Sequence, residues 1–227
     1  MQGVLLIDKP RGWTSFDVVN FVRKQVAGAG GKKPKNIKVG HTGTLDPLAT
    51  GLLVLLVGKD YTRRATELTK LDKTYEVTMR LGMASTTGDE EGEKTKVSDV
   101  QPSQAEVEAA LVHFTGEIMQ TPPAFSAMKI NGQRAYKLAR AGQAVELEAR
   151  SVLIRSNTLS GYTYPDVRFT SEVSSGTYIR SLVEDIGRKL GTGAYMADLR
   201  RTRVGGFDIA DAHRVDDSDL LSALHAL

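Results

Sequence analysis

The sequence predicts an α+β fold whose mixed, mainly antiparallel central sheet is flanked by helices and loops. Three observations predict it. Leu52 to Val57 is a continuous apolar run, the pattern of a central strand. Lys73 to Leu81 alternates, with Tyr75, Val77, Met79 and Leu81 on one face and Thr74, Glu76, Thr78 and Arg80 on the other. Strands and helices then interleave without a regular βαβ period, which points to an α+β fold.

The remaining elements follow in order. Val4 to Ile7 reads as a short buried strand. Thr14-x-x-Asp17 is a capping-box pattern, and the helix it opens runs over Val18 to Val26. Tyr61 to Lys70 reads as one helix. Ser103-x-x-Glu106 opens another, with Val107, Leu111 and Phe114 on one face. Ala124 to Ile130 leads into Asn131-Gly132, a hairpin signal. A short helix over Ala135 to Arg140 stops at Gly142. Val145 to Thr158 and Val167 to Val173 read as antiparallel strands. Thr177 to Leu190 is amphipathic, with Ile179, Leu182, Val183, Ile186 and Leu190 together. Tyr195 to Val204 gives a last long strand. No repeat and no linker divides the chain, so one domain is expected, with a projecting subdomain at 124 to 151.

Composition narrows the chemistry. The 227 residues include no cysteine, which removes disulfides, thiolate metal sites and cysteine nucleophiles, the last needed by enzymes that methylate uracil at C5. His41, His113, His213 and His225 show no ligand spacing, so no metal is expected. The N-terminal apolar run is too short for a signal peptide, and no stretch approaches a membrane span. The chain therefore reads as soluble and cytoplasmic, without a membrane partner.

Net charge is only +3, but its distribution is uneven. No acid occurs from Val18 to Leu45, while Arg23, Lys24, Lys32, Lys33, Lys35 and Lys38 all do. Arg200, Arg201 and Arg203 form a second basic cluster, and the acids Asp208 to Asp219 gather near the C-terminus. A basic body with an acidic tail suggests a polyanion partner. For Gly28 to Lys38 alone, a solvated loop fits as well. That segment lacks the G-x-x-x-x-G-K-[ST] pattern of a nucleotide-binding P-loop.

Chemistry concentrates around Gly40-His41-Thr42-Gly43-Thr44-Leu45-Asp46-Pro47-Leu48-Ala49-Thr50-Gly51. Pro47 biases Asp46 away from helix, and the loop runs straight into the apolar strand. One carboxylate is thus held on a stiff loop, although a bare Asp-Pro is more often a simple turn. Arg180 falls in the first turn of its helix, where the dipole disfavours a cation. A carboxylate partner would explain it, and so would simple exposure to water. Tyr75 fits either a core tyrosine or a stacking platform for an unpaired base. His41 fits a turn residue or an RNA contact.

The Asp46 loop closely resembles the catalytic motif of the TruB family of tRNA pseudouridine synthases. Other segments resemble that family in the same order: Gly3-Val4-Leu5-Leu6-Ile7-Asp8-Lys9-Pro10, Lys73-Thr74-Tyr75, Thr121-Pro122-Pro123-Ala124-Phe125-Ser126-Ala127-Met128-Lys129, Gly132-Gln133-Arg134-Ala135-Tyr136 and Ser175-Gly176-Thr177-Tyr178-Ile179-Arg180. The resemblance implies a pseudouridine synthase fold over residues 1 to 215, with 124 to 151 as an insertion that grips RNA. Residues 216 to 227 would form a short tail, without the PUA-type module usual in the family. It implies conversion of uridine to pseudouridine at position 55 in the T-loop of tRNA, by a monomer acting on the T-arm without a cofactor. Asp46 would be the catalytic aspartate, Tyr75 the tyrosine stacked on the target base and Arg180 the arginine paired with the aspartate. His41, Tyr178 and Leu199 would surround the flipped nucleotide, and Lys9, Lys129 and Arg134 would contact RNA. The chain departs from the family pattern at Ser85-Thr86-Thr87, ahead of Asp89. Two other readings are a catalytic subunit of a guide-RNA pseudouridylation complex and a tRNA-binding folding factor.

Overall fold

The computed structural model describes residues 1–126, 128–130 and 132–226. In chain order the elements are β1 (Gly3–Lys9), α1 (Ser15–Ala29), a 3-10 turn (Pro34–Asn36), β2 (Val39–His41), β3 (Thr50–Val57), α2 (Lys59–Thr62), α3 (Ala65–Thr69), β4 (Lys73–Leu81), β5 (Met83–Ser85) and β6 (Lys94–Lys96). These are followed by α4 (Gln104–His113), β7 (Gly116–Gln120), β8 (Lys129–Ile130), β9 (Gln133–Arg134), α5 (Ala135–Arg140), β10 (Arg150–Thr163), β11 (Asp166–Val173), α6 (Ile179–Lys189), β12 (Ala194–Val204), β13 (Phe207–Asp208) and β14 (His213–Arg214). The chain divides into two compact units: Met1–Glu76 with Leu199–Leu227, and Val77–Asp198. No helix among the described residues is long and apolar enough to cross a membrane.

The first unit is built on β1 and β3, paired antiparallel in unbroken register from Gly3↔Val57 to Lys9↔Gly51. Both faces of this pair are covered, which is why β3 reads as continuous apolar sequence. Leu5, Ile7, Leu53, Leu55 and Val57 pack with Val18, Val19, Val22 and Val26 of α1. Val4, Leu6, Leu52, Val54 and Leu56 pack with Leu68 of α3 and Val204 of β12. The helix α1 starts where predicted. The Thr14 hydroxyl accepts from Asp17 N–H at 3.0 Å, and the Asp17 carboxylate accepts from Thr14 N–H at 2.8 Å, a cap contributing about 1 kcal/mol.

One expectation changes in this unit. Tyr61 to Lys70 is not one helix. Arg64 N–H turns back to Tyr61 O at 2.9 Å, a tightened i→i−3 turn that separates α2 from α3. The short C-terminal stretch, residues 216 to 226, packs onto this unit. Leu220 is buried in the β1–α1 core, with Leu221, Ala223 and Leu224 packed against it. His225 bridges to Val4 of β1.

In the second unit the strand order is β4-β11-β10-β7. β10 pairs antiparallel with β11 across two register shifts and with β7 from Arg150↔Gln120 to Ile154↔Gly116. β10 begins at Arg150 rather than Val145, so 145 to 149 carry no strand. The predicted alternation of β4 holds, with Lys73 joining Tyr75, Val77, Met79 and Leu81 on the buried face. Ile179, Leu182, Val183 and Ile186 form the buried face of α6. β8 and β9 form the small hairpin expected between 124 and 151, followed by α5. Asn131 of its predicted turn lies outside the described residues.

Candidate active site

β2 and β3 are adjacent antiparallel strands, and residues 42 to 49 connect them. Each flank of this connection is tied down. Thr42 N–H donates to Val54 O at 3.1 Å. Leu45 is held from both its polar groups by Ser15: its N–H donates to the hydroxyl at 2.8 Å, and the hydroxyl donates to its carbonyl at 3.0 Å. Ala49 N–H closes a turn onto Asp46 O at 3.1 Å. Pro47 O accepts from Gly12 N–H at 2.8 Å and from Lys9 Nζ at 3.3 Å. Leu45, Leu48 and Ala49 are buried while Asp46 and Pro47 are half-exposed. The loop is therefore rigid at its roots and presents one carboxylate, the geometry a reacting group requires.

Three cations lie beneath this loop, and the sequence did not assign them that task. Lys9, expected as an RNA contact, is 0% exposed. Its ammonium donates to Trp13 O at 2.6 Å, Pro10 O at 3.0 Å and Pro47 O. This corrects the expectation: all three donors of Lys9 are spent on carbonyls, and the side chain clamps the Asp46 loop to the β1–α1 connection. Burial pulls its pKa down to about 8, and the Asp46 charge opposes that fall. Arg201, 1% exposed, donates to Leu52 O at 2.8 Å and to Gly43 O at 3.0 Å, joining β12 to the loop. Lys73 is buried as well, donating to Leu71 O at 2.6 Å and Thr69 O at 3.1 Å. Burial and then the Arg201 charge bring its pKa down to about 8. Gly51 makes the closest approach here. Its φ is +100°, and a Cβ there would lie 2.3 Å from Arg201 O, so no other residue fits.

Tyr75 is 7% exposed on the buried face of β4. Leu199 is buried in β12. His41 ends β2 half-buried, and its Nδ1 is buried with no hydrogen-bond partner among the described residues. Burial first, and the Arg201 charge second, hold its pKa below the usual histidine value, so the ring is neutral near pH 7.

In the second unit Arg180 is 6% exposed in the first turn of α6. It donates to Phe125 O at 2.7 Å and Thr87 O at 3.1 Å, and it lies 3.6 Å from the Asp89 carboxylate. Asp89 in turn accepts from the Thr87 hydroxyl at 2.5 Å and from Glu91 N–H at 3.1 Å. These acceptors offset the unfavourable dipole. Asp89 as an arginine partner was not foreseen, because its 91-residue separation from Arg180 carries no local pattern. Tyr178 is the N-cap of α6. Its N–H donates to Gln120 Oε1 at 2.8 Å and its carbonyl accepts from Gln120 Nε2 at 3.1 Å. The Arg150 guanidinium lies 5.3 Å from its ring centre. Arg134, Lys137 and Arg140 are exposed on the 124 to 151 segment. Lys129 lies in β8, and its side chain falls outside the described residues. No group of three or more His, Asp or Glu among the described residues could hold a metal ion.

Comparison with known proteins gives these positions a context. Residues 31–179 match the model of the TruB family pseudouridylate synthase N-terminal domain, and 180–226 match the tRNA pseudouridylate synthase B C-terminal domain. The chain is 47% identical over 219 residues to tRNA pseudouridine synthase B of Burkholderia mallei (strain NCTC 10247), covering 96% of this chain and 70% of that protein.

The chain belongs to the TruB family.

It is also 45% identical over 226 residues to tRNA pseudouridine synthase B of Pseudomonas fluorescens, covering 100% of this chain and 70% of the relative. Among solved structures it resembles a Cbf5-Nop10-Gar1 complex, with a TM-score of 0.70, 28% identity and 97% of this chain covered. A second is an H/ACA RNP bound to a substrate RNA containing 2′-deoxyuridine, with a TM-score of 0.66 and 29% identity. The chain spans 55% and 51% of those two proteins. The TruB match places the protein among pseudouridine synthases, and the mixed sheet with its helices is the fold of that enzyme class.

Proposed function

We propose that this TruB-family chain isomerises uridine to pseudouridine at position 55 in the T-loop of tRNA, with Asp46 as the catalytic carboxylate. The observation that carries the reading is the presentation of Asp46. Thr42, Leu45, Pro47 and Ala49 around it are held by strand, serine, lysine and turn hydrogen bonds, and Asp46 is half-exposed between them. In the reaction the C1′–N1 bond breaks, the base turns and a C1′–C5 bond forms. The proton leaving C5 is matched by one gained at N1. No electron or atom is exchanged with a cofactor, so a carboxylate acting as nucleophile or base suffices.

The target nucleotide must leave the folded RNA, and new contacts must offset its unstacking. Tyr75 supplies an aromatic face for uracil. His41 Nδ1, without a hydrogen-bond partner among the described residues, supplies a polar contact for the displaced nucleotide, and Tyr178 and Leu199 are assigned to its surroundings. Arg180 enters as a catalytic residue through the Gly176-Thr177-Tyr178-Ile179-Arg180 motif. The insertion, with Lys129 and Arg134, grips the T-arm.

The relatives at 45–48% identity are tRNA pseudouridine synthases, whereas the Cbf5-Nop10-Gar1 and H/ACA RNP assemblies are matched at 28–29%. This favours action on tRNA without a guide. The test is incubation of the purified protein with unmodified tRNA transcript alone, followed by mapping of pseudouridine. Product at position 55 is expected. Product only when a guide RNA and its proteins are added would transfer the chain to the second class.

A further inference from the structure

The acid-free segment between Asp17 and Asp46 left two readings open, a solvated loop or a polyanion contact. The structure separates them on two grounds. The first is order. Lys32 N–H donates to Ala27 O at 2.9 Å, Asn36 N–H to Lys33 O at 2.9 Å and Ile37 N–H to Pro34 O at 3.0 Å, and Lys38 O accepts from Gly58 N–H at 2.8 Å. Ile37 packs into the β1–α1 core. The lysines are thus displayed from a braced turn and not from a free linker.

The second ground is the absence of compensation. Several exposed cations elsewhere sit beside carboxylates: Arg63 with Asp60, Arg64 with Glu67, Lys96 with Asp99, Arg188 with Asp185 and Arg214 with Asp216. Lys24, Lys32, Lys33, Lys35 and Lys38 are all exposed. None of the five has an ion pair among the described residues. Like charges held together on a fixed scaffold repel one another unless an outside anion joins them.

Direction along the chain identifies the anion. Lys38 immediately precedes β2, and His41 ends it. Three strand residues span about 10 Å, which puts Lys38 within reach of the RNA backbone beside a nucleotide held at His41. We propose that Lys24, Lys32, Lys33, Lys35 and Lys38 form a second RNA-binding surface, gripping backbone phosphates of the substrate beyond the target nucleotide. This rests on the RNA-modifying reading above, but it assigns a surface that the catalytic motifs do not include.

The test uses the full chain carrying Lys32→Ala, Lys33→Ala, Lys35→Ala and Lys38→Ala together. Binding of unmodified tRNA transcript is measured from low to moderate salt, alongside kcat and KM for pseudouridine formation. Each phosphate contact contributes about 0.7–0.9 to the slope of log affinity against log salt, so the slope should fall by about 3. KM should rise about tenfold or more, with kcat and Tm unchanged. Arg214→Ala removes a cation already paired with Asp216 and should leave the slope alone.

An unchanged slope in the quadruple variant would overturn the proposal. So would loss of binding to anionic phospholipid vesicles with tRNA affinity intact, which would make the surface a membrane contact. Because the slope reads binding and not turnover, it separates this surface from the assignment of Asp46. A wild-type protein that binds tRNA with a steep slope but makes no pseudouridine would overturn only the catalytic reading.

Discussion

Replacing Lys9 by methionine tests how the Asp46 loop is held. Methionine keeps an unbranched stem but removes the ammonium from Trp13 O, Pro10 O and Pro47 O. Pro47 O retains Gly12 N–H, so two carbonyls lose their donor. Each buried unsatisfied acceptor costs about 1–3 kcal/mol, a gross loss of about 2–6 kcal/mol. Burying the charge is itself unfavourable. The fall of the Lys9 pKa from 10.5 to about 8 corresponds to about 3 kcal/mol at roughly 1.4 kcal/mol per pH unit. The variant escapes that penalty, so its net effect on stability at pH 7 lies between a gain of about 1 and a loss of about 3 kcal/mol.

The pH dependence is more distinctive. The folded-state pKa lies below the unfolded one, so between about pH 8 and 10.5 the unfolded chain holds the proton that the native protein has lost. Wild-type stability therefore gains as pH rises through this window, while the uncharged methionine of the variant contributes nothing. Lys73 has the same depressed pKa but is present in both proteins and cancels. Urea denaturation at pH 7, 8, 9 and 10 should show the gap between wild type and variant widening by up to about 3 kcal/mol. kcat should fall as the loop loosens. A gap that stays flat or narrows, or a variant with wild-type kcat, would refute the clamp.

Arg180→Lys should remove most of the activity although charge is kept, because one ammonium cannot reproduce the planar fork to Thr87 O, Phe125 O and Asp89; kcat at the wild-type level would make Arg180 purely structural. Tyr75→Leu should slow turnover far more than it lowers Tm, since leucine fills the β4 face but forgoes about 1–3 kcal/mol of stacking. A large fall in Tm with normal specific activity would return Tyr75 to the core. Gly51→Ala should destabilise or prevent folding, because its Cβ would press on the Arg201 backbone at 2.3 Å and 2.7 Å; soluble protein with unchanged Tm would contradict that packing.

Local signals survived best in passing from sequence to structure. The capping boxes at Thr14 and Ser103 mark helix starts correctly because a cap involves only four consecutive residues. The alternation of β4 and the apolar run of β3 were legible because burial repeats with the strand period. β7 was missed: Gly-Glu-Ile-Met-Gln is short, and its pairing to β10 is what makes it a strand. The break between α2 and α3 depends on one tightened turn. In the site, Asp46 was visible through its glycines and proline. The supports of that loop were not. Lys9 reads as a surface lysine until β1 places it under Pro47, and Arg201 meets Gly43 across 158 residues of chain. Gln120 clasps Tyr178 across 58. Such contacts belong to the fold and leave no periodic trace.

The most direct measurement of the central claim is single-turnover pseudouridine formation on unmodified tRNA transcript by Asp46→Asn beside wild type, with RNA affinity measured on the same preparations. The amide keeps the size and the turn but can act neither as nucleophile nor as base. Wild type should convert position 55, and the variant should form no product while binding RNA within a few-fold of wild type. Conversion by the variant near the wild-type rate would contradict the account.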